Sequence, residues 1–174
     1  TYVQAKKFLE QGRSVLFSGT PCQVAGLYGF LNKDYKNLIT IDLICHGVPN
    51  AKFFDDYIQI ENHRRRGKEV VGYSFRDKKK GWGMNGRIDI KDISGKIRKV
   101  YVPARVNSYN TLFLDGEIYR ENCYECKYAT RCRVGDLTIG DYWGIEQEHP
   151  ELLGKYGFEE KKGISCILAN SSKG

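Results

Sequence analysis

The sequence predicts an α/β fold with α+β character in its middle: a small, mostly parallel sheet with helices, an antiparallel basic hairpin region and a cysteine-rich loop. Three observations carry this expectation. Two short apolar runs, residues 14–18 and LITIDLIC at 38–45, each lead through a turn into a helical pattern, giving a strand–helix–strand–helix order. Between Val71 and Val102 apolar residues alternate with polar ones, and glycine-bearing loops separate the runs. Cys123, Cys126 and Cys132 then crowd one loop.

Taken in order, residues 2–10 carry Val3, Phe8 and Leu9 among polar positions and stop at Gly12, as a short helix does. Residues 14–18 read as a buried strand. Gly19-Thr20 turn the chain, and Pro21 opens a helix to Leu31, in the first turn where its missing N–H is not needed. The second strand, 38–45, is broken by His46-Gly47-Val48-Pro49. Asn50 is the N-cap of a helix over 51–63, with an apolar stripe of Phe53, Phe54, Tyr57, Ile58 and Ile60. The sets Val71/Tyr73/Phe75, Ile88/Ile90 and Ile97/Val100/Val102 predict the antiparallel sheet. A short helix over 107–114 ends at Gly116, 137–143 is a strand, and 164–169 a last buried strand.

The 174 residues are enough for a single domain, 1–174, with its own core. Hydrophobic residues at 41% and charged residues at 28% are the proportions of a soluble globular chain. No apolar run approaches the roughly 20 residues of a membrane span. The opening TYVQAKKFLEQG lacks the features of a signal peptide, so a cytoplasmic location is expected. A start on Thr1 and a polar SSKG end lead us to expect a fragment of a longer chain. Of the net charge of +7, the stretch 61–105 holds fourteen Lys or Arg against five Asp or Glu, a local +9 that leaves −2 elsewhere. Such a stretch suits phosphate groups, an acidic partner or nucleic acid, or is a solvated surface hairpin.

Six cysteines without a secretory signal favour metal or redox chemistry over disulfides. Cys123-Tyr-Glu-Cys126 is a C-x-x-C pair, able to clasp a zinc ion or an iron–sulfur cluster from one turn. Cys22 follows the first strand and Cys45 closes the second, so both belong to the carboxyl edge of the sheet, where ligands gather. A loop carrying Cys123 and Cys126 could fold over that edge and complete a four-thiolate cage. Cys22 would be presented at a helix start, whose dipole favours thiolate. Against these readings, Cys166 in Ile164–Leu168 reads as a small core residue, and Cys45 has a core reading too. A zinc site completed by Cys132 with Cys22, Cys45 or His46 is as compatible with the spacing as a cluster.

At these residues the sequence resembles the coenzyme F-420 hydrogenase/dehydrogenase beta-subunit family (C-terminal domain), in its bacterial branch, which is similar to the plant 7-hydroxymethyl chlorophyll a reductase. The matching pieces are GTPCQVAGL (19–27), LICHGVP (43–49), SFRDKKKGWG (74–83), CYECKY (123–128), RVGDLTIGDYWGI (133–145) and KGISCILANSSKG (162–174). The resemblance implies an iron–sulfur flavoprotein oxidoreductase. It would move electrons between a 4Fe-4S cluster, FAD and a hydride carrier such as coenzyme F-420, or a reducible small-molecule substrate. Carried over by motif, the cluster ligands are Cys22, Cys45, Cys123 and Cys126, with Cys132 a spare. The family's N-terminal ferredoxin domain is not in this sequence, so a ferredoxin-type domain or protein is the expected electron partner.

For the flavin, Arg76, Lys78, Lys79, Lys80 and Arg87 are candidates for the pyrophosphate. Thr20, Gln23 and Asn107 are candidates for hydrogen bonds to the ring, and Trp82 and Trp143 for stacking or for loop anchoring. Asp136 and Asp141 are expected to hold the cysteine loop through N–H groups or through Arg131 or Arg133. No catalytic triad is visible; His46, beside Cys45, is the one candidate for proton delivery. The competing function is a zinc-stabilised basic module binding nucleic acid or an acidic partner. Against nucleic acid, the basic residues are not interleaved with aromatic stacking platforms.

Overall fold

Helix α1 (Tyr2–Glu10) leads to strand β1 (Val15–Gly19), helix α2 (Pro21–Leu31), strand β2 (Leu38–Leu43) and helix α3 (Ala51–Arg64). Strands β3 (Glu69–Ser74), β4 (Gly86–Lys91) and β5 (Ile97–Val102) follow, then the short helices α4 (Ser108–Leu114) and α5 (Glu121–Tyr124). Strand β6 (Leu137–Asp141), helices α6 (Ile145–Glu148) and α7 (Pro150–Lys155) and strand β7 (Ser165–Ala169) complete the order. This is a computed structural model that describes residues 1–159 and 162–174, with the side chain of Lys80 outside the description. The chain divides into two compact units, Thr1–His46 with Cys126–Gly174, and Gly47–Glu125.

The first unit is built on a four-stranded sheet of order β1-β2-β6-β7. β1, β2 and β6 are parallel and β7 is antiparallel to β6. Helices α1 and α2 cover one face, where Ala5, Leu9, Phe17, Val24, Leu27, Leu31, Tyr35 and Leu38 form the core. Where the sequence predicts buried strands, only this face is buried. Leu16 stays 66% exposed, as does Ile167, because alternate side chains of a strand leave opposite faces. The buried face of the sheet is partly polar: Thr40, Asp42 and Thr138 have no exposure at all.

That polar layer is fully wired, as burial demands. Asp136 Oδ2 accepts from the N–H (2.9 Å) and hydroxyl (3.0 Å) of Thr40, and Asp136 N–H donates to Thr40 Oγ1 at 3.0 Å. With its one proton given to Asp136, the Thr40 hydroxyl takes the Tyr28 phenol as donor at 2.7 Å. Asp136 Oδ1 accepts from Ser171 Oγ at 2.6 Å, which fixes the segment after β7.

The second unit holds an antiparallel sheet of order β3-β4-β5 with a bulge between Val70 and Gly72. Tyr57, Tyr109 and Ile118 are its buried cluster, with Phe54 and Tyr73 packed around them. Phe54 lies 5.2 Å from the Tyr73 ring and 5.1 Å from Tyr109, both edge-on, a geometry that suits the ring quadrupoles. Burial pushes the phenols of Tyr57, Tyr73 and Tyr109 upward, so all three stay protonated. Asn50 caps α3, accepting from Lys52 N–H at 3.0 Å. Gly47 has a φ of +136°, and a Cβ there would stand 2.8 Å from the Tyr119 ring, so the HGVP turn has room only for glycine.

Candidate functional site

In the first unit the carboxyl ends of β1, β2 and β6 share one edge of the sheet. Gly19-Thr20-Pro21-Cys22 crosses that edge. Thr20 is the N-cap of α2 in a capping box with Gln23, whose Oε1 accepts the Thr20 N–H at 2.9 Å. Pro21 takes the first helical position and Cys22 the second. The Cys22 sulfur is exposed and lies 3.1 Å from Thr20 Oγ1. The sulfur therefore stands at the start of an eleven-residue helix.

Cys45 stands beyond β2, not within it. The ladder between β2 and β6 covers Ile41–Leu43, and only the Ile44 N–H still reaches Ile139 O, at 2.9 Å. Cys45 and His46 follow beyond the strand, and Cys45 is exposed rather than in the core. Cys126 is half-buried in the loop that precedes β6, and its carbonyl accepts the Ala129 N–H at 3.0 Å. Cys132 is exposed in the same loop, and Cys166 is half-buried in β7 opposite Gly140. Cys123 belongs to the second unit, in α5, three residues before Cys126. All six thiols are free, and among the described residues no three His, Cys, Asp or Glu side chains are gathered as a metal-holding group.

One ion pair ties the loop of Cys126 and Cys132 to the sheet edge. The Arg133 guanidinium donates to Asp42 Oδ1 at 3.0 Å and to Leu43 O, the last carbonyl of β2, at 2.8 Å. It also donates to Tyr128 O and Thr130 O, both at 3.4 Å. Asp42 is saturated: besides Arg133 it accepts from Thr138 Oγ1 (2.6 Å), Val134 N–H (3.1 Å) and Gly135 N–H (3.0 Å). Gly135 makes this approach possible, since a Cβ there would lie 2.8 Å from Asp42 N. The loop-holding role expected of Asp136 is carried by Asp42, with Arg133 as its partner. Asp136 instead joins β2 to the segment after β7. A lone aspartate in LITIDL, in phase with the buried Leu38, is the available signal, since a buried carboxylate needs a cation or several donors.

Burial alone would raise the Asp42 carboxyl, but bonds from Thr138, Gly135 and Arg133 outweigh it and hold the group below the usual carboxylate range. Asp136 is lowered likewise, with burial opposed by Ser171 and Thr40. Both groups bind protons more weakly folded than unfolded. Their stabilisation is complete above the unfolded value of roughly 3.9 and is lost as pH falls through the depressed folded values. The urea midpoint should hold steady from pH 7 to about 5 and drop below about 4, a drop that an Asp42→Asn variant should show in weakened form.

The residues expected to meet a flavin divide between the units. Thr20 and Gln23 serve the cap of α2, and Gln23 also borders an open groove of about 550 Å³ with Tyr2, Phe17 and Phe30. In the second unit Arg76 donates through Nε to Gly83 O at 3.4 Å. Lys78 opens a 3-10 turn, Lys78–Lys80, that Asp77 caps by accepting from Lys79 N–H at 3.0 Å. Asn107 is buried. Its amide gives both protons to phenols, of Tyr57 at 2.9 Å and Tyr73 at 2.8 Å, and its oxygen caps α4 through Asn110 N–H at 3.1 Å. Arg87 is committed to Asp77 (2.6 Å) and Asp89 (2.8 Å), so the basic region is partly neutralised from within. Trp143, just past β6, is 53% exposed. Among the described residues no helix is long and apolar enough to cross a membrane.

No curated protein and no solved structure matches this chain. Residues 12–174 match a family described as the C terminus of the coenzyme F420 hydrogenase/dehydrogenase beta subunit.

Proposed function

The chain belongs to the coenzyme F420 hydrogenase/dehydrogenase beta-subunit family, a family of oxidoreductase subunits; from that premise we propose that it is an iron–sulfur flavoprotein, moving electrons between a 4Fe-4S cluster, FAD and a hydride carrier or reducible substrate. The observation that carries this reading is the sheet edge of the first unit. There an exposed thiol opens α2, a second follows β2, and the loop of a third is tied by Arg133 to the last carbonyl of β2.

Cys22, Cys45, Cys123 and Cys126 would hold the cluster as thiolates, with Cys132 a spare. The donor set fits: the sulfurs are free, none is deeply buried, and thiolate is the ligand such clusters take. When bound, the cluster supplies single-electron transfer and the flavin couples it to hydride chemistry. The protein's own contribution is placement and charge. The start of α2 presents the Cys22 sulfur at the sheet edge, and Arg133 holds the Cys126 loop to that edge. Arg76 and Lys78 supply cations for a pyrophosphate, Thr20 and Gln23 polar groups for a flavin ring, and Asn107 fixes the tyrosines behind α4. His46, beside Cys45, is the candidate for proton delivery. The hydride partner is a deazaflavin such as coenzyme F-420 or another small molecule, and a ferredoxin-type domain or protein delivers the electrons.

Full-length protein purified without oxygen should be brown, release FAD on denaturation and contain about four irons per chain. A colourless protein holding one zinc and no flavin would replace this reading with that of a zinc-stabilised basic module, whose nucleic-acid affinity would fall steeply with salt.

A further inference from the structure

At one end of the antiparallel sheet of the second unit three pieces of chain meet: the end of α3, the start of β3 and the turn between β4 and β5. Asn62, in the last turn of α3, accepts the Val70 N–H at 2.7 Å, and a Cβ on Gly67 would lie 3.5 Å from the Ile93 side chain. Lys91 faces Ile97 across the ladder and closes the loop 92–96. That loop is held from within. Gly95 N–H donates to Asp92 O at 2.9 Å and Asp92 N–H to Lys96 O at 3.0 Å. Asp92 Oδ1 accepts from Ser94 N–H (2.9 Å), Ser94 Oγ (2.6 Å) and Lys96 N–H (3.1 Å).

Asp92, Ser94 and Gly95 are residue types that a tight turn uses, and Ile93 is not. Ile93 is 92% exposed, so it adds nothing to the core, and Ile97 beside the turn is 56% exposed. Six cations belong to this end of the sheet, Arg64, Arg65, Arg66, Lys68, Lys91 and Lys96, against three acids, Glu61, Glu69 and Asp92. Two of the acids are engaged: Glu61 pairs with Arg65 at 2.6 Å and with Arg64 at 3.6 Å, and Asp92 holds the turn. Arg66, Lys68, Lys91 and Lys96 are all exposed. A single exposed isoleucine is ordinary on a protein surface. One at the apex of a stiff turn, flanked by exposed cations, is a specific arrangement.

We infer that this end of the second unit seats the protein reversibly on an anionic lipid surface. Ile93 enters the boundary between headgroups and acyl chains, while Arg66, Lys68, Lys91 and Lys96 meet the lipid phosphates with their stems along the apolar region. The stiff turn loses little freedom on insertion. A convex apolar apex suits the plane of a bilayer. A nucleic acid or other soluble polyanion would engage the cations and leave the isoleucine in water, and 64–68 and 91–97 contain no aromatic residue on which a base could stack. One short side chain and a few charges make the attachment peripheral and salt-sensitive. The inference uses none of the cysteines or flavin contacts proposed above.

The test is sedimentation of full-length protein with vesicles of phosphatidylcholine alone and of phosphatidylcholine mixed in equal parts with phosphatidylglycerol. The protein should pellet with the mixed vesicles, stay in solution with the neutral ones, and be released from the mixed vesicles by high salt. Ile93→Ser should weaken binding about tenfold, the worth of one buried aliphatic side chain. Lys91→Gln with Lys96→Gln should weaken it about thirtyfold, the worth of two cations near an anionic surface. All three positions are exposed, so circular dichroism and the thermal midpoint should not change. Ile93→Trp should bind as well as wild type and show a blue shift of emission, on mixed vesicles alone, that wild type lacks. No binding to mixed vesicles, or binding indifferent to Ile93→Ser, overturns the inference. Equal binding of polyglutamate by wild type and Ile93→Ser, with mixed vesicles unable to compete, assigns the patch to an acidic macromolecule and overturns it too. Iron and flavin are measured on the same samples and should match wild type, so a failed cluster assignment leaves this result readable.

Discussion

Asp42→Leu should cost the protein about 3–5 kcal/mol, the price of leaving one member of a buried ion pair alone. Arg133, only 11% exposed in its side chain, would keep its charge with no counter-ion, and the N–H groups of Val134 and Gly135 would lose their acceptor. A loss of that size shifts thermal unfolding down by roughly 10 °C in a chain of this length. Asp42→Asn keeps the shape but sets an amide against two backbone donors, and should fall between wild type and leucine. The informative variant is the double one, Asp42→Leu with Arg133→Leu. Replacing both charges by apolar groups should restore much of the thermal midpoint. It cannot restore the guanidinium bonds to Leu43 O, Tyr128 O and Thr130 O that position the cysteine loop. Stability should therefore recover in the double variant while bound iron does not. Recovery of both would show that Arg133 serves the fold and not the site.

The pair also shows which part of this protein is legible in its sequence. Turn chemistry is local, and it is readable: Pro21 announces α2, Asn50 announces α3, and both take those roles. The βαβ order and the alternation from Val71 to Val102 predict a mostly parallel sheet and an antiparallel one, and both are present. Partners far apart in sequence are not readable. Asp42 meets Thr138 across 96 positions, and nothing in LITIDL or DLTIGD names the other. Continuous apolar runs suggest strands buried on both faces, but the pattern cannot tell a covered face from an open one, and Leu16 and Ile167 are on the open one. Helices α5 and α6 have four residues each, too few to show a period. Asn110 reads as an ordinary helix residue, because a buried amide nitrogen with no partner among the described residues exists only once the chain has folded.

Single Cys→Ser variants should divide the six thiols into two classes by bound iron and by visible absorption. Serine at Cys22, Cys45, Cys123 or Cys126 is expected to remove most of the iron per chain and the broad cluster absorption. A serine hydroxyl is a far weaker donor than a thiolate, and its proton is not lost near neutral pH. Cys166→Ser should leave iron unchanged, since that residue lies within β7, paired in register with Gly140. Cys132→Ser should also retain the cluster, as befits an exposed thiol that is spare in the proposed set. The structure makes this a test of chemistry rather than of folding. Cys22, Cys45 and Cys132 are exposed, and none of the six thiols is in a core cluster, so serine should leave circular dichroism and the thermal midpoint of the metal-free form unaltered. Cys22→Ser is the sharpest member, because the Thr20–Gln23 capping box survives it and α2 still begins in the same place. If Cys22→Ser and Cys45→Ser keep full iron while Cys132→Ser loses it, the metal belongs to the 123–132 loop, and the sheet edge is not its home.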